Sequence, residues 1–145
     1  MIEEIEKTIG LEGGYVFDED DAGGETRFGI SKRAYPDEDI KGMTKERAAM
    51  IYERDYWNKA GCPNMTNLNY RWKIFDIAVN QGVSTSLLFQ SQVKNPNSDT
   101  GVWELCECQM RKYIAIVVSH PEQIKFLKGW TNRAFNRGMY SGAIT

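Results

Sequence analysis

Apolar positions recur at helical spacing over most of the chain. Ile2, Ile5 and Ile9 fall three and four apart, with Glu3, Glu4, Glu6 and Lys7 on the other faces, and predict a helix over 2–11. Acidic side chains in its first turn suit the helix dipole, and Gly13-Gly14 ends it directly after Glu12. The pattern then changes. Tyr15-Val16-Phe17 is a short β-prone run, residues 18–24 are acidic and glycine-rich, and Thr26–Ile30 alternates weakly, as a returning strand would. A small β-hairpin or irregular loop lobe fits this stretch.

Helical periodicity returns after Thr44, a predicted N-cap for a helix over 45–57 whose core face is Ala48, Ile51, Tyr52 and Trp57. Asn67 caps a second over 68–80, with Trp72, Phe75, Ala78 and Val79 inward and Gly82 as its stop. Residues 84–92 read as helix and 94–100 as loop. The longest helix is expected over 101–118, burying Leu105, Cys108, Tyr113, Ile116 and Val117. His120-Pro121 breaks it. A last helix is expected over 122–135, and the tail 138–145 is expected to fray. The fold class is therefore mainly α (α+β).

Composition adds bounds. The chain has 145 residues, 41% hydrophobic and 26% charged, which describes an ordinary globular domain. It lacks an 18-residue apolar run, so no stable membrane insertion is expected. Its N-terminus is acidic with no apolar segment behind it, so synthesis in the cytoplasm without a signal peptide is expected. Residues 1–60 carry a net charge of −6 and residues 61–145 a net of +4. The positive half could approach an anionic polymer, but it lacks the dense Lys/Arg stripe of a nucleic-acid binder. Three cysteines, Cys62, Cys106 and Cys108, make no disulfide framework and lack zinc-site spacing, so no metal and no cofactor are expected.

The chemistry on offer is carboxylate chemistry. There is no Ser-His-Asp or Cys-His set, and His120 is a lone surface or capping residue. Glu12 sits between an apolar-faced helix and a Gly-Gly corner, a placement that suits a general acid for a glycosidic oxygen as well as a solvated glutamate before a turn. Asp18, Glu19, Asp20, Asp21 and Glu25 offer a second carboxylate that could orient water or stabilise an oxocarbenium-like transition state, and Thr26 could hold that water. Gly13, Gly14, Gly23, Gly24 and Gly29 permit left-handed turns or close approach of a bulky ligand. Tyr15, Phe28, Tyr56, Trp57 and Tyr70 could stack on sugar faces or could equally be core. Asp76 and Asn80 lie one turn apart on an otherwise apolar helix and suggest a polar role in bracing a loop or binding ligand. Arg54-Asp55 suggests an ion pair.

Residues 11–35, opening Leu11-Glu12-Gly13-Gly14-Tyr15-Val16-Phe17 and closing Phe28-Gly29-Ile30-Ser31-Lys32-Arg33-Ala34-Tyr35, resemble the signature of glycoside hydrolase family 108, which includes phage endolysins and secretion-activating muramidases. Ile51-Tyr52-Glu53-Arg54-Asp55-Tyr56-Trp57 and Phe75-Asp76-Ile77-Ala78-Val79-Asn80-Gln81-Gly82 continue the likeness. Phe126–Arg133 is similar to the end of the family's peptidoglycan-binding region, here shortened after a compressed 94–100 loop.

The resemblance implies a lysozyme-like fold, a single compact domain over 1–145, with a hydrolase-like region over 1–90 and a shortened C-terminal helical region over 91–137 packed on it. It implies cleavage of the β-1,4 bond between N-acetylmuramic acid and N-acetylglucosamine. Glu12 matches the family's catalytic glutamate, with Asp21, Glu25 and Thr26 as assistants. Tyr15, Phe28, Tyr56, Trp57, Asp76 and Asn80 are the expected substrate-binding residues. The expected partner is the glycan strand of peptidoglycan, met by a monomer, with action on the bacterial wall and holin-dependent release if the protein is phage-encoded. The alternative is an inactive peptidoglycan-binding or secretion-accessory protein on the same scaffold.

Overall fold

The structure is a computed structural model that describes residues 1–20 and 24–136. Asp21 and the tail at 138–145 lie outside the described residues. The chain divides into two compact units, Met1–Asp55 and Tyr56–Thr145. The architecture is mainly helical with one small antiparallel sheet.

In the first unit, α1 spans Glu3–Glu12, with Glu3, Glu4 and Glu6 in its first turn. Ile5 and Ile9 are buried as their spacing requires, but Glu4 and Thr8 are buried beside them. Positions 4 and 8 adjoin 5 and 9 on the helical wheel, so the inward face is wider than its apolar residues alone indicate. Gly13, at φ 80°, ends the helix. Three short strands follow, β1 (Val16–Phe17), β2 (Glu25–Arg27) and β3 (Ile30–Ser31), in the order β1-β2-β3. Val16 pairs with Thr26, and Arg27 with Ile30. The expected return over 26–30 thus breaks at Phe28-Gly29, and the hairpin becomes a three-stranded meander.

Helix α2 spans Lys45–Tyr52, and the Thr44 side chain accepts from the Arg47 amide at 3.1 Å, as an N-cap does. Ala48, Ile51 and Tyr52 are buried, and α2 packs on α1. The helix expected to run to residue 57 changes at Glu53, where Glu53–Trp57 form a π-helical turn. Asp55 in that turn is held by a two-pronged contact with Arg54 (2.8 and 2.7 Å) and by the Tyr35 hydroxyl (2.9 Å).

The second unit is built on α3 (Leu68–Gln81), capped by Asn67, whose side chain accepts from the Tyr70 amide at 2.9 Å. Seven consecutive residues, Trp72–Ala78, are buried, so α3 is covered nearly all round. It packs on α4 (Val83–Gln92) and α5 (Asp99–Ser119). A side chain at Gly101 would meet the Asn95 carbonyl and come within 2.9 Å of the Tyr70 ring, so a glycine there lets α5 close onto α3. The last helical stretch starts as a 3-10 segment, Pro121–Phe126, and becomes α6 only at Leu127–Asn136. Cys62, Cys106 and Cys108 are reduced and buried. Leu105, Cys108 and Tyr113 are buried as the periodicity requires, whereas Ile116 and Val117 are half-buried.

Lys73 is fully buried on α3, where its ammonium donates to the Ala134 carbonyl of α6. Burial pushes its pKa below the usual lysine range, against the opposing pull of Cys106 and Asp76. One turn on, Asp76 pairs with Arg133 at 3.1 Å. These two contacts fasten α6 to α3.

Candidate active site

Glu12 is the last residue of α1 and is half-buried. Its side chain lies against the β2–β3 turn. A Cβ built on Gly29 would stand 3.0 Å from the Glu12 Cγ, 3.1 Å from its Cβ and 2.5 Å from the Tyr52 hydroxyl. Only a residue without a side chain lets the glutamate stem lie there.

The turn is a two-residue loop with both central residues at positive φ, Phe28 at 53° and Gly29 at 78°. That is the type I′ geometry that matches strand twist in tight hairpins, normally supplied by Asn-Gly. A bulky aromatic at positive φ costs on the order of 1–3 kcal/mol and persists only where its surroundings impose it. Both backbone groups of Phe28 are taken. Its amide donates to the Gly13 carbonyl at 3.0 Å, and its carbonyl accepts from the Tyr52 hydroxyl at 2.6 Å. Its ring is buried, with the Arg27 guanidinium 5.2 Å from the ring centroid. Arg27 in turn donates to the Lys41 carbonyl. The end of α1, the turn and α2 are therefore joined at one point, and the Glu12 stem lies in that junction.

Glu25 and Thr26 are both half-buried on β2. As neighbours on a strand they leave the sheet on opposite faces, so a ligand on one face meets one of them. Tyr15, just before β1, is exposed, and desolvation followed by the nearby Glu25 carboxylate holds its phenol above the ordinary range. The loop after β1 is closed by the Asp18 amide on the Gly24 carbonyl at 3.3 Å, and the Asp18 carboxylate accepts from the Asp20 amide at 2.9 Å. Asp21 lies outside the described residues. A groove of about 440 Å³ between α1 and α2 is lined by Met1, Ile2, Ile5, Ala49 and Met50 with Glu46 and Glu53 at its rim, and not by Glu12.

The other expected substrate-binding residues belong to the second unit. Tyr56 is half-buried and Asn80 exposed. Trp57 is only 5% exposed. It meets Phe75 edge-on at 5.4 Å and has the Arg71 guanidinium 5.3 Å from its ring, so it sits in that unit's core. Asp76 is 2% exposed and engaged with Arg133. One turn separates Asp76 and Asn80 in sequence, but the first is in the interior and the second in water. The structure thus gathers Glu12, Tyr15, Glu25, Thr26 and Phe28 in the first unit, while Tyr56, Trp57, Asp76 and Asn80 belong to the second. Among the described residues no group of three His, Cys, Asp or Glu could hold a metal ion.

Tyr52 is the residue at this junction that the sequence marked only as core. Its spacing with Ala48 and Ile51 marks it as core. A tyrosine on a core face also needs a partner for its hydroxyl, and that requirement was the available signal.

The family model described as Glycosyl hydrolase 108 matches residues 5–82, more than half of the chain, and the match contains most of α1, the sheet, α2 and all of α3. Among solved structures the chain is similar to one titled "Structure of Brucella abortus SagA", with a TM-score of 0.71 and 23% identity over 92% of this chain and 88% of that one. At that identity the likeness is one of fold. No curated protein matches the chain.

Proposed function

The chain belongs to the glycosyl hydrolase 108 family, and from that premise we propose that it is a peptidoglycan hydrolase of lysozyme type, an N-acetylmuramidase with Glu12 as general acid. The observation that carries this reading is the setting of Glu12. Its stem lies against Gly29, at a junction that spends two hydrogen bonds and a strained phenylalanine on holding one turn in place. Backbone strain clusters at active sites, and a turn held this firmly beside a half-buried carboxyl suits a preorganised catalytic group.

In this account the Glu12 carboxyl donates its proton to the glycosidic oxygen as the bond to C1 of N-acetylmuramic acid breaks. N-acetylglucosamine leaves with that oxygen as a hydroxyl. Positive charge develops at C1, and water adds there with loss of a proton, which returns the acid form of Glu12 directly or through solvent and leaves a reducing N-acetylmuramic acid end. Glu25, Thr26 and Asp21 are the candidates to hold that water or face the charge, with one of the β2 pair available on each face of the sheet. Tyr15 offers an exposed ring beside Glu25 for a sugar face. The protein acts on the bacterial cell wall as a monomer.

Mass analysis of digested peptidoglycan tests the reaction. Muropeptides ending in reducing N-acetylmuramic acid support it. Reducing N-acetylglucosamine ends would make the protein a glucosaminidase, anhydro ends would make it a lytic transglycosylase, and either product refutes the muramidase assignment.

A further inference from the structure

The C-terminal part of the second unit exposes aliphatic and aromatic side chains beside a cationic border. Ile114 and Val118 stand one turn apart on α5, and Val118 is 74% exposed. The 3-10 segment that packs on α5 projects Ile124, 62% exposed, and Phe126. Phe126 leans on Trp130 at 6.0 Å, and Trp130 stacks on the buried Tyr113 at 5.3 Å, so the outward ring rests on a fixed aromatic base. Apolar side chains this exposed, on two elements that pack together, mark an interaction surface.

Charge identifies the partner. From Met110 to Asn136 the sequence has five Lys and Arg and one acidic residue, Glu122. Arg133 is engaged with Asp76 and Arg111 with Glu107, while Lys125 and Lys128 are exposed. Lys125 stands 5.2 Å from the Phe126 ring centroid, which places a cation at the edge of the apolar surface. A glycan strand presents hydroxyls and amides that need hydrogen-bonding partners, and Ile114, Val118 and Ile124 offer none. Exposed aliphatic side chains with lysines on the same segment match acyl chains beneath phosphate headgroups.

We propose that this face docks peripherally on an anionic lipid bilayer, with Ile124 and Phe126 entering the headgroup boundary and Lys125 and Lys128 meeting phosphates. Among the described residues no helix is long and apolar enough to cross a membrane, so the contact lies on the surface.

The test is sedimentation of the full chain with vesicles of equal parts phosphatidylglycerol and phosphatidylcholine, and with vesicles of phosphatidylcholine alone. Pelleting with the first and not the second, falling as salt rises, is the expected result. Lys125→Glu with Lys128→Glu weakens it by about twentyfold or more. Because Phe126 braces Trp130, Ile124→Ser is the companion apolar variant, and it weakens binding by about fivefold or more. Unchanged melting curves for both variants show that the fold is intact. Pelleting with phosphatidylcholine alone, insensitivity to both variants, binding to purified wall sacculi without binding to vesicles, or self-association of the chain through these residues overturns the proposal.

Discussion

The Tyr52 hydroxyl donates a 2.6 Å hydrogen bond to the Phe28 carbonyl, and through it α2 holds the turn against which the Glu12 stem lies. Tyr52→Phe leaves that buried carbonyl without its donor at a cost of about 1–3 kcal/mol. The urea midpoint falls accordingly. Since Tyr52 acts through the turn, kcat falls on glycan substrate while KM moves little.

Gly29→Ala puts a methyl group into space held by the Tyr52 hydroxyl and the Glu12 Cγ, at a backbone φ of 78°. The left-handed conformation alone costs about 1–2 kcal/mol for a residue with a side chain. The clash also pushes Glu12 aside. Thermal melts show the first effect. Turnover measured well below the melting temperature shows the second, as a loss greater than the unfolded fraction explains.

Asp76→Ala removes one partner of a buried ion pair and leaves Arg133 in a poorly solvated setting. Breaking such a pair costs about 3–5 kcal/mol when both groups are enclosed. The Arg133 side chain keeps 24% of its surface in water, so a loss of about 2–3 kcal/mol is expected. Asn80→Ala, one turn along in solvent, changes stability by less than about 0.5 kcal/mol. Paired melts of the two variants separate a structural aspartate from a surface asparagine.

Burial pushes the Tyr70 phenol up to about 12 from an ordinary value of 10.0, with Glu104 and Cys108 adding to the shift. A raised value means the folded chain keeps its proton longer than the unfolded one. The stabilisation is therefore complete below pH 10 and is lost as pH rises through 12. Lys73 has the opposite sign, because the cost of burying its ammonium is relieved as pH rises toward 10.5. Tyr70→Phe flattens the alkaline fall in the urea midpoint between pH 10 and 12, and a Lys73→Met variant does not.

The elements readable from sequence are those set by local rules. Thr44 and Asn67 cap their helices as their side-chain chemistry requires, and Gly13 and Gly82 end theirs at positive φ. The N-terminal lobe was legible as β structure, but its third strand was not. A Phe-Gly pair carries no turn signal like Asn-Gly, and Phe28 takes positive φ only because Gly13 and Tyr52, distant in sequence, hold both of its backbone groups. The same limit explains Asp76. Its position on an apolar helix marked it as special, but its ion partner Arg133 comes 57 residues later, and no local pattern reveals that pairing. Trp57 was open between groove and core, and only the positions of Phe75 and Arg71 place it inside.

Glu12→Gln tests the central claim most directly, because it keeps the shape of the side chain and removes the proton it would donate. Release of soluble muropeptides from purified sacculi is the readout, with the melting curve as a control for the fold. The account predicts an unchanged melt and a fall in rate of about 10²–10⁴. A folded Glu12→Gln protein that clears the wall at close to the original rate would contradict it.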